Sequence, residues 1–228
     1  GWEGGAIANE RGAISKVSGN VFRQNHSEDY GGAVSNYKGT VGDMSDNLFV
    51  GNAAGIVGGA IFNDGILADV SDTRFIGNSA GQEGGAIYNQ DTVTFSGENT
   101  FSGNTAAGKP NDITNEGTLN FGAAGQEHKK TTIGSGIDGN GEMNLNSGIL
   151  EIAENRTVEQ GTAVFAGGTE TRVTVNDNHI VKAAYAASAT DVEDGDIMNA
   201  YRRGGYTVFG NSLTIRDGAK LTVAGANA

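Results

Sequence analysis

Three groups of side chains in this sequence have the chemistry to act on, or hold, another molecule. The first is a set of aspartates, Asp43, Asp69 and Asp72, which fall in comparable places in successive stretches of the chain. Carboxylates projecting side by side are what a glycosidase or lyase uses as acid and base. In strands that alternate apolar and polar residues, the same aspartates are simply the solvated outward positions, and that reading is preferred. The second group is the acidic run Asp191-Val192-Glu193-Asp194-Gly195-Asp196. Asp191, Glu193, Asp194 and Asp196 offer several oxygens around a glycine turn, which calcium requires. Their spacing lacks the alternating acidic positions and distal Glu of a calcium loop, so the run stands as a calcium candidate and no metal site is assigned. Asp138-Gly139-Asn140-Gly141-Glu142 reads as a turn. The third group is aromatic: Trp2, Tyr30, Tyr37, Phe62 and Tyr88.

Other catalytic signals are missing. His26, His128 and His179 are scattered, with no His-x-x-x-His zinc spacing, and read as solvated loop residues. No Gly-x-Ser-x-Gly nucleophile elbow occurs, and Gly134-Ser135-Gly136 lacks its spacing. No catalytic residue, cofactor-binding residue or cofactor is therefore expected.

Composition narrows the class. The chain has 228 residues, with 38 Gly, 23 Asn, one Pro and no Cys. Glycine without a period of three and almost without proline excludes collagen. The missing cysteine excludes a disulfide scaffold, and no apolar run is long enough for a membrane-spanning helix. A formal charge of −12 argues against a nucleic-acid partner and against docking on anionic lipid. The start Gly1-Trp2-Glu3, without Met or signal peptide, suggests an excised piece of a longer protein.

What must position these residues is a repeat. Gly-Gly-Ala-(Ile/Val) occurs at Gly4, Gly31, Gly58 and Gly84, at intervals of 27, 27 and 26. An Asn follows each by the same offset, giving Asn9, Asn36, Asn63 and Asn89. A second motif, Phe-x-x-Asn, keeps phase with the first. It pairs Phe22 with Asn25, Phe49 with Asn52, Phe75 with Asn78 and Phe101 with Asn104. A decayed fifth copy keeps Ile113 and Asn115.

Each unit holds short apolar–polar alternations split by Gly, Asn and Asp, and none holds a helical stretch. The arrangement that fits is an all-β, single-stranded parallel β-helix with one repeat per coil. Residues 1–121 supply regular coils. Residues 122–228 supply shorter, degenerate ones, with an excursion near 179–205 that leaves the rod. About ten coils and a length of roughly 50 Å are expected from the strand spacing of ~4.8 Å. Like residues should stack. Ile7, Val34, Ile61, Ile87 and Ile113 form one row, Ile14, Val41, Leu67, Val93 and Leu119 a second, and the four Phe a third. Asn9, Asn36, Asn63, Asn89 and Asn115, and separately Asn25, Asn52, Asn78 and Asn104, form amide ladders. With Ile61 and Ile87 inward, Phe62 and Tyr88 should face outward as an exposed pair able to meet a sugar or protein, or simply to pack across strands.

The paired Gly-Gly-Ala-(Ile/Leu/Val) and Phe-x-x-Asn motifs over residues 4–115 resemble the repeats of chlamydial polymorphic outer-membrane proteins and similar autotransporter passengers. The resemblance implies a right-handed β-helix, exported by type V secretion, displayed on the bacterial outer membrane or released from it. It implies membrane attachment only through a C-terminal barrel, of which no strand series is seen. It also implies adhesion to a host-cell protein or surface glycan, with self-association a further option. The expectation is a non-enzymatic surface adhesin, with the 179–205 excursion as the first choice of contact loop. A carbohydrate-active β-helix enzyme (polysaccharide lyase or glycosidase-like) and a purely structural stalk are the alternatives.

Overall fold

The computed structural model describes residues 3–123, 127–153, 156, 158–166, 168–174, 181–182, 207–215 and 220–224. All regular elements among them are β-strands. In the first coil the chain runs through Ile7–Glu10 and Ala13–Ser18, turns into Val21–Arg23, and turns again into His26–Ser27. The second coil repeats the course with Val34–Ser45, Leu48–Val50 and Ala53–Ala54, each parallel to its counterpart below. Three faces result. Two share long strands that bend round a corner, such as Thr92–Ser102, and the third is a narrow sheet of two-residue strands.

The corners explain the glycine content. Single residues in the left-handed region recur coil after coil, for example Gly19, Asp46, Asp72 and Gly97. At the Gly-Gly corner the two glycines do different work. Gly31 has φ of 61°, and a side chain there would strike the Val34 carbonyl. Gly32 has ordinary φ, but a methyl there would run into backbone atoms of Gly59 in the coil above and of Ala53 at the end of its own coil. One glycine makes the turn and the other lets coils approach.

Inside, the rows are in register. Ile7, Val34, Ile61, Ile87 and Ile113 pair in sequence and continue to Ile137 and Val158. Phe22, Phe49, Phe75 and Phe101 stack with ring centroids 4.6, 4.9 and 4.6 Å apart and planes within 8°. That separation is the strand spacing itself, so the rings meet face over face because the backbone ladder puts them there. Sequence analysis did not assign a further inward row, Val17, Met44, Val70, Phe95 and Phe121. It escaped notice because Val41 and Met44 both face inward although three residues apart, which an irregularity in the strand allows. In the fourth coil one residue drops out, and Val93 and Phe95 alternate normally.

Polar rows line the corners. Asn9 donates its amide to Asn36 Oδ1, Asn36 to Asn63, Asn63 to Asn89 and Asn89 to Asn115, each at 2.8 Å. Asn25, Asn52, Asn78 and Asn104 form a second such ladder at 2.9–3.0 Å. A third, not foreseen, runs through Asn20, Asn47, Thr73 and Asn99, where backbone N–H groups donate to the next side chain. In the first two ladders an amide is thus satisfied by its own copy one coil on, whereas in the third Asn47 and Asn99 donate to the Val17 and Val70 carbonyls.

The number of coils is the main correction. Four coils carry all three faces, and a fifth, without the third, closes the regular part at Ile133. About five full turns are described, not ten. Beyond them, shorter rungs that begin at Ile137, Val158 and Thr207 prolong the first sheet, and Ile149–Ile152, Glu170–Thr174 and Lys220–Ala224 prolong the second. The third sheet stops because Lys109–Pro110 turns back antiparallel against Thr105–Ala106. Proline 110 stands where the earlier coils have the first corner glycine, and it has no N–H to continue the parallel ladder. Most of the 179–205 excursion lies outside the described residues; its Val181–Lys182 is a short strand parallel to Thr207–Val208.

Two substitutions test this packing. Phe75→Ala removes a fully buried ring between two others and should cost about 3–5 kcal/mol in urea unfolding. Ser27 is fully buried with its hydroxyl unpartnered, in register with Ala54, Ala80 and Ala106. Ser27→Ala should therefore stabilise the protein by about 1 kcal/mol in the same measurement.

Candidate binding site

The residues singled out for acid–base chemistry are engaged otherwise. Asp43 and Asp69 stand in register on neighbouring coils of one face. Lys16 Nζ lies 2.5 Å from Asp43 and holds its carboxyl below the usual carboxylate range. Asp69 accepts a hydrogen bond from the Ser96 hydroxyl. Asp72 is a corner residue with φ of 48°, and it accepts from the Glu98 backbone N–H at 2.9 Å. The pattern therefore brings two of the three side by side and places the third at the bend.

His128 is the clearest departure from expectation. It is buried, not solvated. Its Nδ1 is 2.6 Å from the Ser147 carbonyl, which can only accept, so Nδ1 carries the proton. Nε2 then accepts from the Thr131 hydroxyl at 2.9 Å. Burial lowers its pKa, opposed by the Ser147 bond, and both nitrogens are occupied by structure. His26 is exposed, whereas His179 lies outside the described residues. So do Trp2 and the calcium candidates Asp191, Glu193, Asp194 and Asp196. Among the described residues no group of three acidic or histidine side chains is placed to hold a metal.

One buried acid was not foreseen. Asp112 occupies the alanine position of the decayed fifth copy, aligned with Ala86. Its carboxylate ends the second amide ladder, accepting from Asn104 Nδ2 at 2.8 Å and from the Ser135 N–H at 2.6 Å. Burial pushes its pKa up, against those two donors. The first ladder ends differently. Asn115 donates to Gln160 Oε1 at 2.7 Å, skipping a coil whose equivalent residue is Gly139. The longer side chain of Gln spans the missing rung.

The outward row next to the first aliphatic row reads Ala8, Ser35, Phe62, Tyr88, Thr114 and Asp138. Phe62 and Tyr88 do point away from the core, but they are not exposed: only 7% and 9% of their surfaces are accessible. They are covered by Val57, Ile56, Tyr30 and Tyr37, which form a second apolar cluster outside the coil wall. Tyr30 and Val57 come from the position just before each Gly-Gly, which reads Glu3, Tyr30, Val57 and Glu83. Isolated parallel bridges hold these four one above another. That row is legible in the repeat once the position is aligned, and was overlooked because its residue types differ.

This cluster floors a cleft of about 380 Å³. Glu3, Glu83 and Asp64 bring carboxylates to it, and Gln82 and Gln90 bring amides. Partial desolvation of an otherwise exposed side chain, with the nearby carboxylates of Asp138 and Glu116, raises the pKa of the Glu83 carboxyl. Glu83 and Gln82 also border a larger groove of about 620 Å³, which opens where the third sheet stops. Its charges are mixed, with Lys109 and Arg156 against Asp138 and Glu159.

Residues 72–90 match the model of the Chlamydia polymorphic membrane protein repeat. The match covers Phe75 to Asn78 and Gly84 to Asn89, one junction of the third and fourth coils; the register repeats that junction in the neighbouring coils. No curated protein and no solved structure matches the chain.

Asp112 gives a pH prediction. Its folded-state pKa is raised, so the folded chain holds this proton more tightly than the unfolded one. The stability linked to it is full below the ordinary carboxylate range and is lost as pH rises through the elevated value. In urea unfolding from about pH 4 to about pH 8, the stability of the wild type relative to Asp112→Asn should fall as pH rises.

Proposed function

We propose that this chain is part of a non-enzymatic bacterial surface adhesin: a stiff β-helical rod, carried on the outer membrane or released from it, that binds a partner through its outer wall. The observation that carries the reading is the division of labour between the two sides of that wall. Inside and at the corners, aromatic, aliphatic and amide rows are saturated by their own copies in neighbouring coils. Outside, a cleft with an aromatic floor and carboxylate rim is left open to solvent.

Two further observations support it. The repeat that matches at residues 72–90 is that of a Chlamydia polymorphic membrane protein, a description that fits display at a bacterial surface. The aspartates considered as an acid–base set, Asp43, Asp69 and Asp72, are tied to Lys16, Ser96 and the Glu98 backbone, which argues for a wall that binds rather than one that cleaves. A purely structural stalk would leave the acidic aromatic cleft without a purpose.

The test is attachment. Fluorescently labelled chain should bind cultured animal cells saturably, and unlabelled chain should compete. The same preparation, incubated with a panel of polysaccharides, should release no reducing ends or unsaturated sugars. Product release would replace this reading by the enzymatic one, and absence of binding to any cell would leave the stalk.

A further inference from the structure

The adhesin reading leaves open what the cleft on the outer wall accepts, and its geometry selects among chemistries. A sugar ring needs an open aromatic face to lie on. Phe62 and Tyr88 offer none: both are buried, their planes are parallel within 6° with centroids 6.1 Å apart, and Tyr30 lies against Phe62 with centroids 5.1 Å apart. Ring edges form the floor, and acceptor groups form the rim.

The rim is acidic. Glu3 and Glu83 are exposed and form no salt bridge among the described residues, whereas Asp64 is paired with Lys38. That pair is itself informative. Lys38 Nζ lies 2.7 Å from Asp64 and 6.0 Å from the centre of the Tyr37 ring, so two residues that line the cleft already engage one ammonium, by a carboxylate and an aromatic. The same combination, a carboxylate beside an aromatic, recurs at Glu83 beside Tyr88 and at Glu3 beside Tyr30, with no salt bridge from a cation among the described residues.

Spacing adds a second constraint. Glu3, Tyr30, Val57 and Glu83 bridge one above another, so three strand steps separate the two glutamates, about 14 Å along the rod at ~4.8 Å per step. An extended peptide advances ~3.3–3.4 Å per residue, so two side chains four residues apart lie about 13–14 Å apart and on the same face.

We propose that the cleft receives an extended basic segment of a partner protein, laid along the rod axis, with lysine or arginine side chains four residues apart on Glu3 and Glu83. The aliphatic stems of those side chains lie against the Tyr30, Phe62 and Tyr88 edges. This rests on the adhesin reading and names the chemistry of its partner.

The experiment uses the whole chain and labelled seven-residue peptides of identical composition. Two lysines stand either four or two residues apart, so net attraction to a chain of charge −12 is the same for both. The four-apart peptide should bind at least several-fold more tightly, with the difference shrinking as salt screens it. Glu83→Gln and Glu3→Gln should each weaken its binding about tenfold. Glu98→Gln, an equal charge change at a distant corner, should alter it less than about twofold. Thermal unfolding midpoints establish that each variant is folded. Equal affinity for the two peptides, or equal loss in Glu98→Gln, overturns the proposal. Cell attachment measured on the same samples separates the two readings. Attachment that persists without peptide discrimination removes the basic segment and keeps the adhesin. Peptide discrimination without attachment keeps the cleft and removes the adhesin.

Discussion

A residue in this protein has to be compatible with its own equivalent placed one strand spacing above it. That single constraint, in-register parallel stacking, decides almost everything else. Side chains that gain from meeting a copy of themselves are kept: flat rings stack, branched aliphatics interlock, and primary amides donate upward and accept from below. Charged side chains cannot do this without repulsion. Where like charges do stand in register, as Asp43 and Asp69 do, Lys16 on one carboxylate and Ser96 on the other relieve the repulsion. The same constraint accounts for the corner glycines, because coils at strand spacing leave no room for a side chain where two bends lie directly over each other.

The constraint also shows why the rod changes character at its fifth coil. When Pro110, Asn111 and Asp112 replace the glycine pair and alanine, the parallel third sheet cannot continue, and the chain folds back on itself. The ladders that ended there still needed acceptors. Asp112 supplies one at the expense of burying a carboxylate, held by two N–H donors rather than by a cation. Gln160 supplies the other by reaching across a coil that lacks the amide. Both are local repairs of a periodic structure at the place where its period fails, and their chain neighbours Asn111 and Glu159 line the groove that opens there.

Function then belongs to the surface that stacking leaves free. The inward rows and corners are committed to holding coils together, and their polar groups have little left to offer a ligand. The outward row is under a looser constraint: Ala8, Ser35, Phe62, Tyr88, Thr114 and Asp138 share a position yet have little else in common. Variation there, with the carboxylates that precede the glycine corners, is what gives one stretch of wall an identity distinct from the rest.

By itself the sequence determined the coil. Two motifs recurring in phase specify which residues lie over which, and the Ile, Phe and two Asn rows are in the register that their spacing implies. Periodicity carries this information because one coil's geometry is copied from the last. Where copying stops, the sequence says less. Regular turns ended near Ile133 rather than running to ten, since short or degenerate spacing does not reveal which strands still close a full circuit. His128 looked like a loop residue because its partners, Ser147 and Thr131, are set by a coil shorter than the repeat. Phe62 and Tyr88 were read correctly as outward yet wrongly as exposed. Alternation fixes the direction of a side chain, but only the folded corner, bringing Tyr30, Ile56 and Val57 back over them, decides whether water reaches it.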